Sequence, residues 1–360
     1  MKRVKVLESL RGIFCIMIVW GIHYDWFFTG GYNMSFPFET ILFPIKKYGY
    51  LGVEFFFILS GYGIATGYKN KLLNSHITFK DYLLKRIKKL YPIMIFSIIL
   101  TFIGIIIYRM LTGYNYYVEN FSFLSLLLSI FGISSGWFYN DVNINMPLWY
   151  VSVLMLLYII YYFITRCSKK NNFKYISLCT LFFIIGWSLL CKPINVPFAY
   201  ENVARGYMCF FGGCLLKEIN DKLNNNLKRK ISIISIIINL LLFLLVLKFG
   251  IKATLGDLRI VLIIFTYPTL IISVQSLKIL QKILLVKPFE FLGKISTDLY
   301  FWHFPAFLII RIIAIYFPIQ KFYSLGWFYL LMIIYSILIA IVSNKFFKSK
   351  YYKIKTKKII

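Results

Sequence analysis

Charge is scarce in this chain. Asp, Glu, Lys and Arg together make up 15% of its 360 residues, where a soluble domain carries roughly 25%. Acid is scarcer still, with 13 Asp and Glu in all. So little polar surface cannot cover a water-facing exterior, which excludes a soluble enzyme and a disordered chain alike. The six cysteines (Cys15, Cys167, Cys179, Cys191, Cys209 and Cys214) form no CxxC pair, and most sit inside apolar runs. Thiols there pack as small apolar groups, so neither a disulfide-stapled secreted domain nor a metal site is expected. No fixed-period repeat and no low-complexity linker divides the chain. No small-residue cleavage site follows the first apolar run, which is therefore read as a retained helix rather than a signal peptide.

Apolar length is what the chain has in abundance. Hydrophobic residues make up 60% of it and the mean hydropathy is +0.74. A helix needs about 20 apolar residues to cross about 30 Å of hydrocarbon. Runs of that kind lie near 10–29, 49–68, 92–109, 148–164, 175–191, 198–216, 231–249, 256–275, 298–317 and 325–344. An eleventh stretch, Phe121 to Ile133, is too short to cross.

Basic residues set the orientation. The 41 Lys and Arg give a net charge of +28, which in a soluble protein would point to nucleic acid. Here they cluster at the N-terminus (Lys2, Arg3, Lys5), in alternate short loops and in the tail from Lys345. That is the pattern that orients a multi-pass membrane protein, so the partner is membrane lipid and no nucleic acid. The expected fold is an all-α polytopic membrane helix bundle of about ten transmembrane helices with both termini cytoplasmic. Residues 1–346 form the transmembrane domain and 347–360 a basic cytoplasmic tail.

Several ionisable residues fall where lipid should be: Arg11, Arg205, Arg259, Arg311, His23, Glu54 and His303. A charge at mid-bilayer costs about 2.5–3.5 kcal/mol, so such residues face a polar cavity or a partner. At about 1.5 Å per residue, His23 and Glu54 reach a similar level in neighbouring helices, with Arg205, Arg259 and Arg311 in the same outer third. Arg11 and His303 fall nearer the inner side. A histidine set against a carboxylate can act as a general base, and an arginine can neutralise a developing oxyanion. Glu119, Asp141 and Glu201 stand in expected outer segments, as solvated loop charges or sugar contacts.

Six stretches carry a resemblance. Glu8-Ser9-Leu10-Arg11-Gly12-Ile13 opens the first helix, and His23 follows. Gly52-Val53-Glu54-Phe55-Phe56-Phe57-Ile58-Leu59-Ser60-Gly61-Tyr62 forms the second. Residues 79–92 read FKDYLLKRIKKLYP, and Pro147-Leu148-Trp149-Tyr150 opens the fourth. Arg205 precedes a Phe-Phe-Gly-Gly run, and Ile295-Ser296-Thr297-Asp298-Leu299-Tyr300-Phe301-Trp302-His303-Phe304-Pro305 comes late. In this order the chain resembles membrane acyltransferase family 3, bacterial integral-membrane O-acyltransferases that decorate cell-envelope carbohydrates.

The resemblance implies an O-acyltransferase, most simply an O-acetyltransferase, of the bacterial inner membrane. Its donor would be acyl-CoA, and its acceptor a hydroxyl of a sugar or glycolipid of the capsule, O-antigen or exopolysaccharide. His23 is the catalytic candidate and Arg11 the arginine paired with it, while Glu54 and Ser60 match the second-helix motif and Tyr300 and His303 the late one. We expect His23 as general base oriented by Glu54, and contacts to donor or substrate from Arg11, Ser60, Arg205, Tyr300, Trp302, His303 and Arg311. Lys85 and Arg86 would hold the CoA nucleotide. Ser60 is read first as a packing residue, and His303 as either a substrate contact or a core histidine. An acetyl-His23 intermediate is the alternative route, and a flippase or carrier of lipid-linked sugars the alternative function. The spacing departs from the family by one residue, with eleven between Arg11 and His23 instead of ten. Twelve steps of a regular helix leave the two side chains about 120° apart, so alignment calls for a π-bulge.

Overall fold

Among the described residues, the segments picked out by apolar length are largely helical. The computed structural model describes residues 2–24, 28, 48–114, 116, 118, 120–138, 142–249, 255–322 and 326–356, and among these there is no strand. Helix α1 (Lys2–Ile16) runs into a π-helical stretch, Met17–His23. A 3₁₀ turn, Gly49–Leu51, leads into α2 (Gly52–Leu73). Next come α3 (Phe79–Thr112), the short α4 (Phe123–Phe131), α5 (Trp149–Cys167) and α6 (Asn172–Cys191). They are followed by α7 (Glu201–Lys222) and α8 (Asn225–Phe249). Helix α9 (Leu255–Val261) passes through a second π-helical stretch, Leu262–Thr266, into α10 (Tyr267–Ser276). After α11 (Lys278–Leu284) come α12 (Lys287–Tyr316) and α13 (Gly326–Thr356).

Among the described residues, seven helices are long and apolar enough to cross a membrane. The nine residues of α4 span only about 13 Å at 1.5 Å per residue, less than half of the hydrocarbon. Ser122 caps its start by accepting from the Ser125 N–H, and Gly132 ends it at φ 68°. Helix α13 continues without a break past residue 346 to Thr356, so the basic tail begins as helix. Glu119 and Asp141 lie outside the described residues.

Burial separates an inner set of helices from an outer one. The apolar windows of α2 and α5 are 72% buried and that of α12 is 61%, against 17% for α6 and 22% for α13. Glycines let the inner helices touch backbone to backbone, the means by which membrane helices approach closely. On α2 and α7, a Cβ at Gly61 would run into the Phe210 carbonyl, and one at Gly213 into that of Ile58. On α1 and α12, a Cβ at Gly12 would lie 2.6 Å from the Gly293 nitrogen. These two contacts set the registers that assemble the site.

Candidate active site

The extra residue between Arg11 and His23 is absorbed as its spacing requires. The Tyr24 N–H bonds to the Val19 carbonyl, five residues back, closing the wide turn of a π-helix. Both side chains then meet α12. Arg11 Nε donates to Ser296 Oγ at 2.9 Å and Nη2 to the Gly293 carbonyl at 2.8 Å. His23 Nδ1 lies 2.7 Å from His303 Nε2. Ser296 and His303 are two helical turns apart, on one face of α12.

His303 therefore stands at the level of His23, not near the inner side. The helix begins at Lys287, eleven residues before the expected span, which lifts His303 about 24 Å along it. Local chemistry holds it there. Pro305, inside α12, has no N–H to give to the Phe301 carbonyl. Asn145 Nδ2 supplies that donor at 3.0 Å. His303 Nδ1 lies 2.8 Å from the Tyr300 carbonyl, and its side chain is fully buried.

The expected pairing of His23 with Glu54 is corrected as well. Glu54 Oε1 accepts from Arg205 Nε at 2.8 Å and lies 3.5 Å from Arg259 Nε. The second arginine also reaches Glu201, with Nη1 3.0 Å from Oε1. A buried carboxylate needs a cation more than it needs a neutral imidazole, and two guanidiniums are at its level. The depth reasoning holds for this group, since Glu54, Arg205 and Arg259 come together. Arg205 also lies over the Trp149 ring, 4.8 Å from its centroid, a cation–π contact.

A cavity of about 130 Å³ opens between these groups. His23 and Arg205 share its wall with the aromatic rings of Tyr50, Trp149 and Tyr300, and Ile18 and Val53 complete it. Tyr300 is fixed by its hydroxyl, which donates to the Pro147 carbonyl at 2.8 Å. The first residues of α2, α5 and α7 all lie at this end of the bundle, which adds the positive ends of three helix dipoles to the arginines. A base, a fixed cation and flat aromatic walls in a small space are suited to moving a proton beside a developing negative charge.

One family comparison decides the class of reaction: a model described as an acyltransferase domain matches residues 4–345. The chain belongs to this family of membrane acyltransferases. Comparison with curated proteins and with solved structures finds no match.

The remaining expected site residues of the acyltransferase lie away from the cavity wall. Ser60 Oγ is 3.0 Å from the Tyr150 hydroxyl and sits beside Gly61, a packing position. Trp302 Nε1 donates to Ser343 at 2.7 Å, tying α12 to α13. Arg311 lies over the Phe28 ring at 6.0 Å. Lys85 is exposed, and Arg86 donates to the Tyr68 hydroxyl at 3.0 Å and stacks over that ring, both at the opposite end of the bundle. Tyr50 was missed by sequence reasoning, and Trp149 was seen only as part of a motif. A Trp two residues after the Pro that opens a helix was the signal available for the second. Among the described residues no three His, Cys, Asp or Glu side chains gather as a metal site.

Proposed function

We propose that this acyltransferase moves an acyl group, most simply acetyl, from acyl-CoA to a hydroxyl of a cell-envelope carbohydrate at the bacterial inner membrane. The observation that carries the reading is the shared cavity, where the His23 imidazole and the Arg205 guanidinium line one wall. His23 removes the hydroxyl proton as the oxygen attacks the thioester carbonyl, and Arg205 faces the oxyanion that develops. The C–S bond then breaks and the leaving CoA sulfur takes that proton from His23. Glu54 serves the reaction by holding Arg205 in place rather than by orienting His23. Trp149 and Tyr300 offer apolar faces for a sugar ring or for the acyl chain.

The donor's nucleotide is assigned to the opposite end, where Lys85 and Arg86 stand on α3. Two nitrogens of Arg86, Nε and Nη2, are buried without a hydrogen-bond partner, and a phosphate would satisfy them. The pantetheine arm then runs between the helices toward His23. The deciding experiment supplies membranes with labelled acetyl-CoA and follows ester formation on envelope glycan by mass spectrometry. His23→Ala should abolish the ester and leave the protein folded. Retained turnover removes His23 from the mechanism. Loss of the glycan itself, rather than of its ester, would favour a flippase.

A further inference from the structure

We propose that His303 is a positioning residue that makes Nε2 the reacting nitrogen of His23. The inference rests on the acyl-transfer reading above, with His23 as the base. The Tyr300 oxygen, 2.8 Å from His303 Nδ1, can only accept, so Nδ1 of His303 carries the proton. A neutral imidazole has one N–H, which leaves His303 Nε2 as an acceptor. The atom facing it at 2.7 Å is His23 Nδ1, which must then be the donor. Neutral His23 is left with its lone pair on Nε2, and His23 is on the cavity wall.

His303 is held rigid by the fold. Its ring is fully buried, stands 5.9 Å edge-on from Phe307 and is parallel to His23 within 9°. It is absent from the cavity wall, so it acts through His23 and not on substrate. In the reaction the hydroxyl O–H bond breaks, its proton goes to His23 Nε2, the new O–C bond forms and the C–S bond breaks. That proton then passes to the sulfur. Throughout, the Nδ1–H of His23 stays against His303 Nε2, so the imidazolium forms beside a neutral acceptor instead of a carboxylate.

The chain has three histidines, so ¹⁵N-histidine labelling with long-range proton–nitrogen correlation can read each ring in the purified, folded protein. The expected spectrum has both His23 and His303 protonated at Nδ1. His303→Gln keeps an oxygen acceptor near the Nε2 position, so His23 should stay protonated at Nδ1 and kcat should fall less than about tenfold. His303→Leu removes the acceptor and should lower kcat by about 10²-fold or more, with the KM for acetyl-CoA unchanged. His23 protonated at Nε2 in the unsubstituted protein would overturn the proposal. So would wild-type kcat in His303→Leu, or a raised KM as its sole effect. If His303→Leu does not fold, the native spectrum and the glutamine variant decide the matter. Tautomers are read without turnover, so a failed acyl-transfer assay would leave the assignment of nitrogens standing.

Discussion

Helices α2 and α7 run side by side and are clasped at both ends by an ion pair, with the charges exchanged. At the cavity end α2 supplies the acid, Glu54, and α7 the base, Arg205, at 2.8 Å. About 22 Å away by helix rise, α2 supplies Lys69 and α7 Glu218, at 2.6 Å. Between them Gly61 and Gly213 bring the backbones into contact. The far clasp is completed by neutral partners, with Lys69 also donating to Asn172 and lying over the Tyr175 ring. The near clasp is completed by a second guanidinium, from Arg259, and its arginine forms part of a cavity wall. One device thus has two uses. A lysine near a bundle end can extend toward water and only fastens the helices. A planar guanidinium held by a carboxylate keeps its remaining N–H groups aimed in a fixed direction.

Substitutions should separate the two uses. The largest effect is expected from His23→Ala, which lowers kcat by about 10²–10⁴-fold, while the lost bond to His303 costs only about 1–3 kcal/mol of stability and the protein stays folded. A loss of folded protein that matched the loss of turnover would make His23 a structural residue instead. Glu54→Ala leaves the buried Arg205 guanidinium without its carboxylate, while Arg259 keeps Glu201, and should cost about 3–5 kcal/mol of stability, together with activity, because Arg205 loses its anchor. Gly61→Ala forces a methyl against the Phe210 carbonyl and should cost about 1–3 kcal/mol, read as a lower unfolding temperature. Glu218→Ala should cost about 1–3 kcal/mol with kcat per folded molecule unchanged. If turnover fell as it does in Glu54→Ala, the distinction between the ends would collapse. Trp302→Phe loses the bond to Ser343 and should cost about 1 kcal/mol, with kcat unaltered.

Much of the scaffold is legible in the sequence. Hydropathy marks the apolar helices, and the length of α4 marks it as too short to cross. The one-residue excess between Arg11 and His23 requires a π-turn, and Met17–His23 is one. Depth counting gathered Glu54, Arg205 and Arg259 at one level because each lies within about two turns of the start of its apolar run, where counting errors are small. It failed for His303 because the apolar run marks only part of α12. The helix itself starts at Lys287-Pro288, where a proline in the first turn favours initiation.

Pairing was not legible. His23 and Glu54 shared a level, and neighbouring helices made them natural partners. Yet His23 meets a residue 280 positions away and Glu54 one 151 positions away. Level is a one-dimensional quantity that a rise per residue can estimate, whereas a hydrogen bond also depends on how far each helix is turned about its axis. Trp302 and His303 make the same point. They are adjacent in sequence and about 100° apart on the helix, and they face α13 and His23 respectively.

By itself the sequence determined that this protein lives in lipid, that its helices are long and apolar, and which few polar side chains must find company inside them. Those are local properties, set by composition and by the 3.6-residue repeat. Tertiary structure decided the company: an imidazole for His23, two guanidiniums for Glu54 and a serine for Trp302. Close glycine contacts fix the rotation and register of α1 on α12 and of α2 on α7, and those two settings, shared between segments far apart in the chain, choose the partners.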